Sequence, residues 1–190
     1  MVRWEPNARG RLEKAALELY AERGFDATTV AEIAARAGLT ERTFFRHFAD
    51  KREVLFGGTE GLEDLLVRGT LKASDDGLGP VEAIAAALAE FAENVFTKQR
   101  HELARHRQAI IAAHPDLRER ELIKMASLAS ALAGALRRRG VGDPAAALAA
   151  EAGIAIFKVA FERWVAGPAG ASLPQLIRES AAALKSVTGP

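Results

Sequence analysis

Apolar positions recur every three or four residues along most of this chain, and no stretch alternates apolar with polar at period two. A period near 3.6 predicts amphipathic helices and no sheet. Leu12, Ala15, Ala16, Leu19 and Tyr20 form the first stripe, predicting a helix over 7–23 that Gly24 ends. Thr29 and Glu32 then stand in a T-x-x-E capping box, where each side chain closes the other residue's backbone N–H, so a second helix starts there with Val30, Ile33 and Ala34 inward. Gly38 supplies the positive φ of a sharp turn. A third short helix runs from its N-cap Thr40 to Phe48, with Phe44 and Phe48 facing the core.

Asp50 and Glu53 read as another capping box, opening a fourth helix over 51–73. Gly57, Gly58, Gly61 and Gly69 interrupt its regularity. The segment 74–80, SDDGLGP, is the clearest linker. Further helices are expected over 80–97, 98–114 and 115–139, the last leaving through Arg137, Arg138, Arg139 and Gly140. Asp143 as N-cap and Pro144 open a helix to Ala166, and Ser172 with Gln175 opens one ending near Val187. The expected fold is all-α, about nine helices.

Two short helices joined by a tight glycine turn make a helix-turn-helix, whose second helix enters the major groove of DNA. The net charge of +1 adds little to this, because the chain has 26 Lys/Arg against 25 Asp/Glu. Locally, Arg36, Arg42, Arg46, Lys51 and Arg52 outnumber Glu41 and Asp50 within 36–52, where phosphates would lie. The third helix exposes Thr40, Glu41, Arg42, Thr43, Phe45, Arg46 and His47. Arg42 is the candidate for bidentate readout of a guanine edge, against the plainer reading of a solvated or phosphate-bound charge. Thr43 suits a thymine methyl or a base edge, while Thr29, Thr40, His47 and Lys51 suit phosphates.

The run TTVAEIAARAGLTERTFFRHFADKREVLF, 28–56, resembles the signature of the TetR family of transcriptional regulators along its whole length. The resemblance implies an N-terminal three-helix DNA-binding domain, 1–50, joined by helix 4 to a larger helical ligand-binding and dimerisation domain, 51–190. The family usually carries tyrosine where this chain has Phe45, so one phosphate hydrogen bond is lost there. A TFF-type third helix also occurs in a subgroup that responds to acyl-CoA thioesters. The expected function is a homodimeric repressor on a palindromic double-stranded operator, released by a small, largely apolar inducer.

Other chemistry is thinly represented. The chain has no cysteine, which excludes disulfides and thiolate metal sites. His101 and His106 in HELARH are five apart and diverge by about 140° on a helix of ~3.6 residues per turn, so no zinc pair forms. These histidines and His114 read as surface or pocket residues, with His106 or Arg107 open to a ligand contact. The 137–139 arginines read as charge at a helix C-terminus rather than a phosphate site. No phosphate loop, dinucleotide fingerprint or nucleophile elbow is present, so neither cofactor nor enzyme activity is expected. The start, MVRWEPNARGR, lacks an apolar leader, and no run approaches the ~18 apolar residues of a membrane span, so a cytoplasmic protein is expected.

In the larger domain, Leu66, Leu88, Phe91, Val95, Leu103, His106, Met125, Leu128, Phe157 and Phe161 are the candidate pocket lining, though a closed core uses the same residue types. Helix 8 is apolar around most of its circumference. One side can meet a second subunit, with Ile156, Val159 and Ala160 beside Leu176, Ile177 and Leu184 of helix 9. A monomer with a filled core is the rival to that dimer. The rival functions are a ligand-independent activator or architectural DNA binder, and a helical enzyme or carrier, for which no acid, base or nucleophile set is found.

Overall fold

A computed structural model of the 190-residue chain describes residues 7–56, 61–73, 77–97 and 100–189. Among the described residues there are nine α-helices, one 3-10 turn and no strand. They divide into two compact units, Met1–Gly58 with His106–Glu119, and Thr59–Arg105 with Arg120–Pro190. The first unit takes in 14 residues of the sequence's second half, His106–Glu119.

The first unit holds α1 (Ala8–Arg23), α2 (Val30–Arg36), α3 (Glu41–His47) and the 3-10 turn Glu53–Phe56. Each helix starts where a side chain satisfies its first-turn donors. Asn7 accepts from the Gly10 N–H at 2.9 Å. Thr29 and Glu32 form the full reciprocal box, and Thr40 accepts from the Thr43 N–H. Gly38 adopts φ +66, as the turn between α2 and α3 requires. The core gathers Leu12, Leu19 and Tyr20 from α1, Ile33 from α2, and Phe44 and Phe48 from the α3 segment. Val54, Leu55 and Phe56 join it, as do Ile111 and Leu117 from the second half of the sequence.

The fourth helix departs from expectation. Asp50 Oδ1 accepts from the Arg52 and Glu53 N–H groups, but the turn it opens is the 3-10 segment Glu53–Phe56. The α-helix proper, α4, spans Leu62–Lys72, capped by Gly61 at φ +74. Gly57 and Gly58, expected inside that helix, lie outside the described residues, as does much of the 74–80 linker.

The second unit is built on α4, α5 (Pro80–Val95), α8 (Asp143–Ala166) and α9 (Leu173–Thr188), with parts of α6 (His101–Ala113) and α7 (Pro115–Arg138). The cap of α8 is Gly142, with Asp143 as its first residue rather than its cap. Helix crossings are close where a residue is small. A Cβ on Gly153 of α8 would stand 2.4 Å from Cγ2 of Ile84 in α5. Trp164 is fully buried and donates from Nε1 to the Ala171 carbonyl at 3.1 Å, closing the α8–α9 loop. Contrary to expectation, α8 is long and apolar enough, by length and composition alone, to cross a membrane. Its residues Ala146, Ala150, Gly153, Ile156 and Ala160 are instead buried, in a helix that packs on α5 and α9.

Candidate nucleic-acid interface

The exposed face of α3 is assembled by burial of its opposite face. Phe44 is fully buried and Phe48 nearly so, with ring centroids 5.5 Å apart, and this turns the Glu41, Arg42, Phe45 and Arg46 side chains outward. Glu41, Arg42 and Arg46 are exposed, Thr43 is half-buried, and Phe45 leaves 56 % of its surface open. A large aromatic held open to solvent needs a reason, and its ring is braced edge-on against Phe44 at 5.5 Å. Thr40 and Thr43 are tied together, Oγ1 to Oγ1, at 3.1 Å.

The positive cluster read from the sequence is much reduced by pairing. Arg36 is engaged by Glu22 at 2.8 Å and by Glu18 at 3.7 Å. Arg52 pairs with Asp116 at 3.1 Å. The Lys51 ammonium donates to the carbonyls of Phe25, Asp26 and Thr28 at 2.8, 3.1 and 2.9 Å. These three bonds use all three of its donors, so Lys51 does not stand in the position expected of a phosphate contact. Arg42 and Arg46, one turn apart on α3, have no acidic partner among the described residues.

His47 is also placed differently from expectation. It is half-buried, and its Nε2 is enclosed without a hydrogen-bond partner, so this rotamer does not present Nε2 outward. The Thr29 hydroxyl is exposed but occupied, donating to Glu32 Oε2 at 2.9 Å and accepting from the Glu32 N–H at 3.2 Å. The Thr29 backbone N–H, with its hydroxyl, holds the Glu32 carboxyl below the usual range. Pairing with Arg36 does the same for Glu22. Behind the face, Tyr20 Oη donates to the Lys51 carbonyl at 2.7 Å, and burial pushes its phenol pKa up. Arg11 donates to the Ala37 carbonyl, fastening the turn to α1, and Arg9 lies over the Phe48 ring at 4.7 Å. Sequence reading missed these braces, since each joins residues distant along the chain.

The expected pocket residues of the second unit pack largely on one another. Leu66, Leu88, Phe91, Leu128 and Phe161 are buried in a single cluster, with Val95, Met125 and Phe157 against it. Phe96, absent from the expectation, is at the centre of the aromatic part, 5.5 to 6.4 Å from Phe91, Phe157, Phe161 and Trp164. Leu103 and His106 are exposed. His101 is not at the surface: it is 1 % exposed, edge-on to Trp164, with Nε2 2.8 Å from the Trp164 carbonyl. A cleft of about 420 Å³ does open between α7 and α8, lined by Leu122, Ala126, Ile154, Ala155, Lys158 and Val159 among others, and of the expected pocket residues it includes only Met125. Of the expected dimer residues, Ile156, Ala160 and Ile177 are buried in the chain's own core, and Leu176 and Leu184 lean on it. Val159 remains 50 % exposed.

Comparison with known proteins agrees with this architecture. Residues 12–56 match the model of the tetR family of bacterial regulatory proteins, and residues 78–189 match the MftR C-terminal domain. The chain is similar to the transcriptional regulator TcmR of Streptomyces glaucescens, 35 % identical over 42 % of this chain and 34 % of that one. It is similar to the mycofactocin biosynthesis regulator MftR of Mycobacterium tuberculosis, 31 % identical over 67 % of this chain and 63 % of that one. In both relatives the match therefore spans less than two thirds of the relative's length. Among solved structures, Thermus thermophilus FadR, a TetR-family repressor in complex with lauroyl-CoA, superposes with a TM-score of 0.56 at 26 % identity, covering 93 % of this chain and 92 % of FadR. The chain belongs to the TetR family of bacterial regulatory proteins, with a C-terminal domain of the MftR type.

Proposed function

We infer that this protein is a homodimeric, sequence-specific transcriptional repressor that an acyl-type apolar ligand releases from DNA. The observation carrying this reading is the α3 face, where Arg42 and Arg46 project without acidic partners beside Thr40, Thr43 and the open Phe45 ring. Cations aligned along one helix face suit the backbone and base edges of a major groove, and an exposed phenyl suits a thymine methyl or a deoxyribose. Glu41, on the same face, disfavours phosphate at its own position and can accept from a cytosine amino group. Thr29 and Thr40 remain the candidate neutral phosphate contacts.

Dimerisation is supported by geometry rather than by the buried residues first expected. Leu148 and Val159 on α8, with Leu122 and Ile123 on α7, are large apolar side chains left open in a single chain. A second copy covering α8 would remove them from water and present two reading heads to a twofold operator. The ligand class rests on the apolar composition of the second unit and on the lauroyl-CoA held by FadR. A ligand of this kind acts by binding the non-operator state more tightly, and the coupling equals the difference between its two affinities.

The test is fluorescence anisotropy with DNA from the protein's own gene neighbourhood, with unrelated DNA as competitor, before and after adding lauroyl-CoA. Competitor-resistant binding at two protomers per site, reversed by the thioester, is expected. Binding that is equal on all DNA would overturn the sequence-specific reading. Specific binding indifferent to acyl thioesters of every chain length would overturn the ligand class alone.

A further inference from the structure

Lys51 lies just beyond the helix-turn-helix, and its side chain reaches back to the loop that precedes it. The loop from Gly24 to Thr28 wraps the ammonium with three carbonyls, those of Phe25, Asp26 and Thr28, and the Phe25 ring covers it at 4.6 Å. The loop is itself braced, because Thr28, nearly fully buried, donates from Oγ1 to the Gly24 carbonyl at 2.8 Å. The Lys51 backbone is held in turn by Tyr20 of α1, through the 2.7 Å bond from its hydroxyl. Thr28 and Lys51, the two ends of the motif, are thereby fastened to each other and to α1.

We propose that Lys51 is a positioning residue for operator recognition, one that sets the placement of α2 and α3 by closing the motif and touches no phosphate. The proposal rests on the operator-binding reading above. An ammonium has three hydrogen-bond donors, and all three point at protein carbonyls. Contact with a phosphate would strip those carbonyls of their partner inside the fold. The neighbour of the cradle is Thr29, the cap of α2 and a candidate DNA contact, so any slackening of the loop is felt first at the DNA side of α2. Arginine at this position would not be equivalent, since a planar fork does not match three carbonyls converging on one point.

The experiment uses a duplex that the wild-type protein enriches from a randomised pool, and measures affinity across a salt series for wild type, Lys51→Met, Thr29→Ala and the double variant. The expected result for Lys51→Met is an affinity about tenfold or more lower with the salt slope of wild type. The Thr29→Ala change should then cost less when combined with Lys51→Met than alone, because the placement of Thr29 is already lost. A slope reduced by about 0.9 for each ammonium removed would mark a phosphate contact and overturn the proposal. A folded Lys51→Met with wild-type affinity would overturn it as well, leaving Lys51 a purely structural residue. If Lys51→Met does not fold, the side-chain ¹⁵Nζ resonance of Lys51 in the wild type decides. Slow proton exchange in the free protein and an unmoved signal on adding the duplex are expected, and fast exchange or a shift on DNA binding would overturn it. Failure of the wild type to enrich any duplex would instead sink the operator-binding reading, and this proposal with it.

Discussion

Arg36 of α2 grips Glu22 of α1 through two parallel hydrogen bonds, Nη1 to Oε1 at 2.9 Å and Nη2 to Oε2 at 2.8 Å. Fork-to-fork pairing fixes orientation as well as distance, so it sets α2 against α1. A cation held in this way is a poor partner for phosphate.

Replacing Arg36 with alanine should therefore leave the salt dependence of operator binding unchanged and lower thermal stability only slightly, because exposed ion pairs contribute little. A salt titration of both proteins checks this, and a slope reduced by about one would place Arg36 on the DNA instead.

Arg42 and Arg46 should differ from Arg36 and from each other. Arg42→Ala should weaken binding about tenfold and relax preference at one base position per half-site, as the loss of a ~1–3 kcal/mol base interaction implies. Affinities for a panel of single-base operator variants provide the test, and a uniform loss across the panel would mean that Arg42 reads no base. Arg46→Ala should weaken all sequences alike and lower the salt slope by about 0.9 for each phosphate that the side chain neutralises.

The carboxylates that brace the head predict its response to acid. Glu22, paired with Arg36, and Glu32, bonded to Thr29, have pKa values lowered from 4.5 in the folded state. The unfolded chain therefore binds more protons than the folded one in this range. Their contribution is complete above pH 4.5 and is lost as the pH falls through the lower folded values. Thermal midpoints measured from about pH 7 downward should hold steady and then decline, and Glu32→Gln should soften that decline. An equally steep decline in the variant would show that the Glu32 bond carries none of it.

Gly153 and Ile84 offer a test within the second unit. The Cβ of an alanine at 153 would stand 2.4 Å from a branched Ile84 methyl, so α5 and α8 must part or Ile84 must turn. Gly153→Ala should destabilise by about 1–3 kcal/mol. Combined with Ile84→Ala, the total loss should be smaller than the sum of the two single losses, and denaturant melts of the two single variants and the double variant would show the non-additivity. Strictly additive effects would mean that the two helices do not meet there as described.

Val159 tests the proposed dimer. Val159→Glu should keep the fold, since half of this side chain is already in water, and should yield monomers in sedimentation. Operator affinity should fall about a hundredfold or more as the second reading head is lost. A variant that remains dimeric would move the interface away from this face of α8.

Much of the reading head was legible because its signals are local. The capping box at Thr29, the N-cap at Thr40 and the turn at Gly38 each depend on residues within four positions, and each formed as expected. What the sequence concealed is spent across distance. Arg52 finds Asp116, 64 positions on, and Lys51 finds a loop more than twenty positions back. A count of local charge assigns such cations to DNA because their partners are not neighbours in sequence. The packing of the expected pocket residues was hidden for another reason. Phe91, Leu128 and Phe161 are apolar in the same way whether they line a cavity or fill a core, and only packed volume distinguishes the two. Likewise, nothing local to His101 announces that it will be enclosed against Trp164.

The inclusion of His106–Glu119 in the first unit bears on modularity. Ile111 and Leu117 complete a core shared with Phe25 and Leu55, Arg107 donates to the Leu55 carbonyl, and His114 stacks edge-on against Phe25 at 5.1 Å. A fragment ending at Gly58 would expose that apolar surface and lose those bonds. The head is thus not a detachable cassette, and chimeras that graft it onto a foreign sensor would need the 106–119 corner to travel with it.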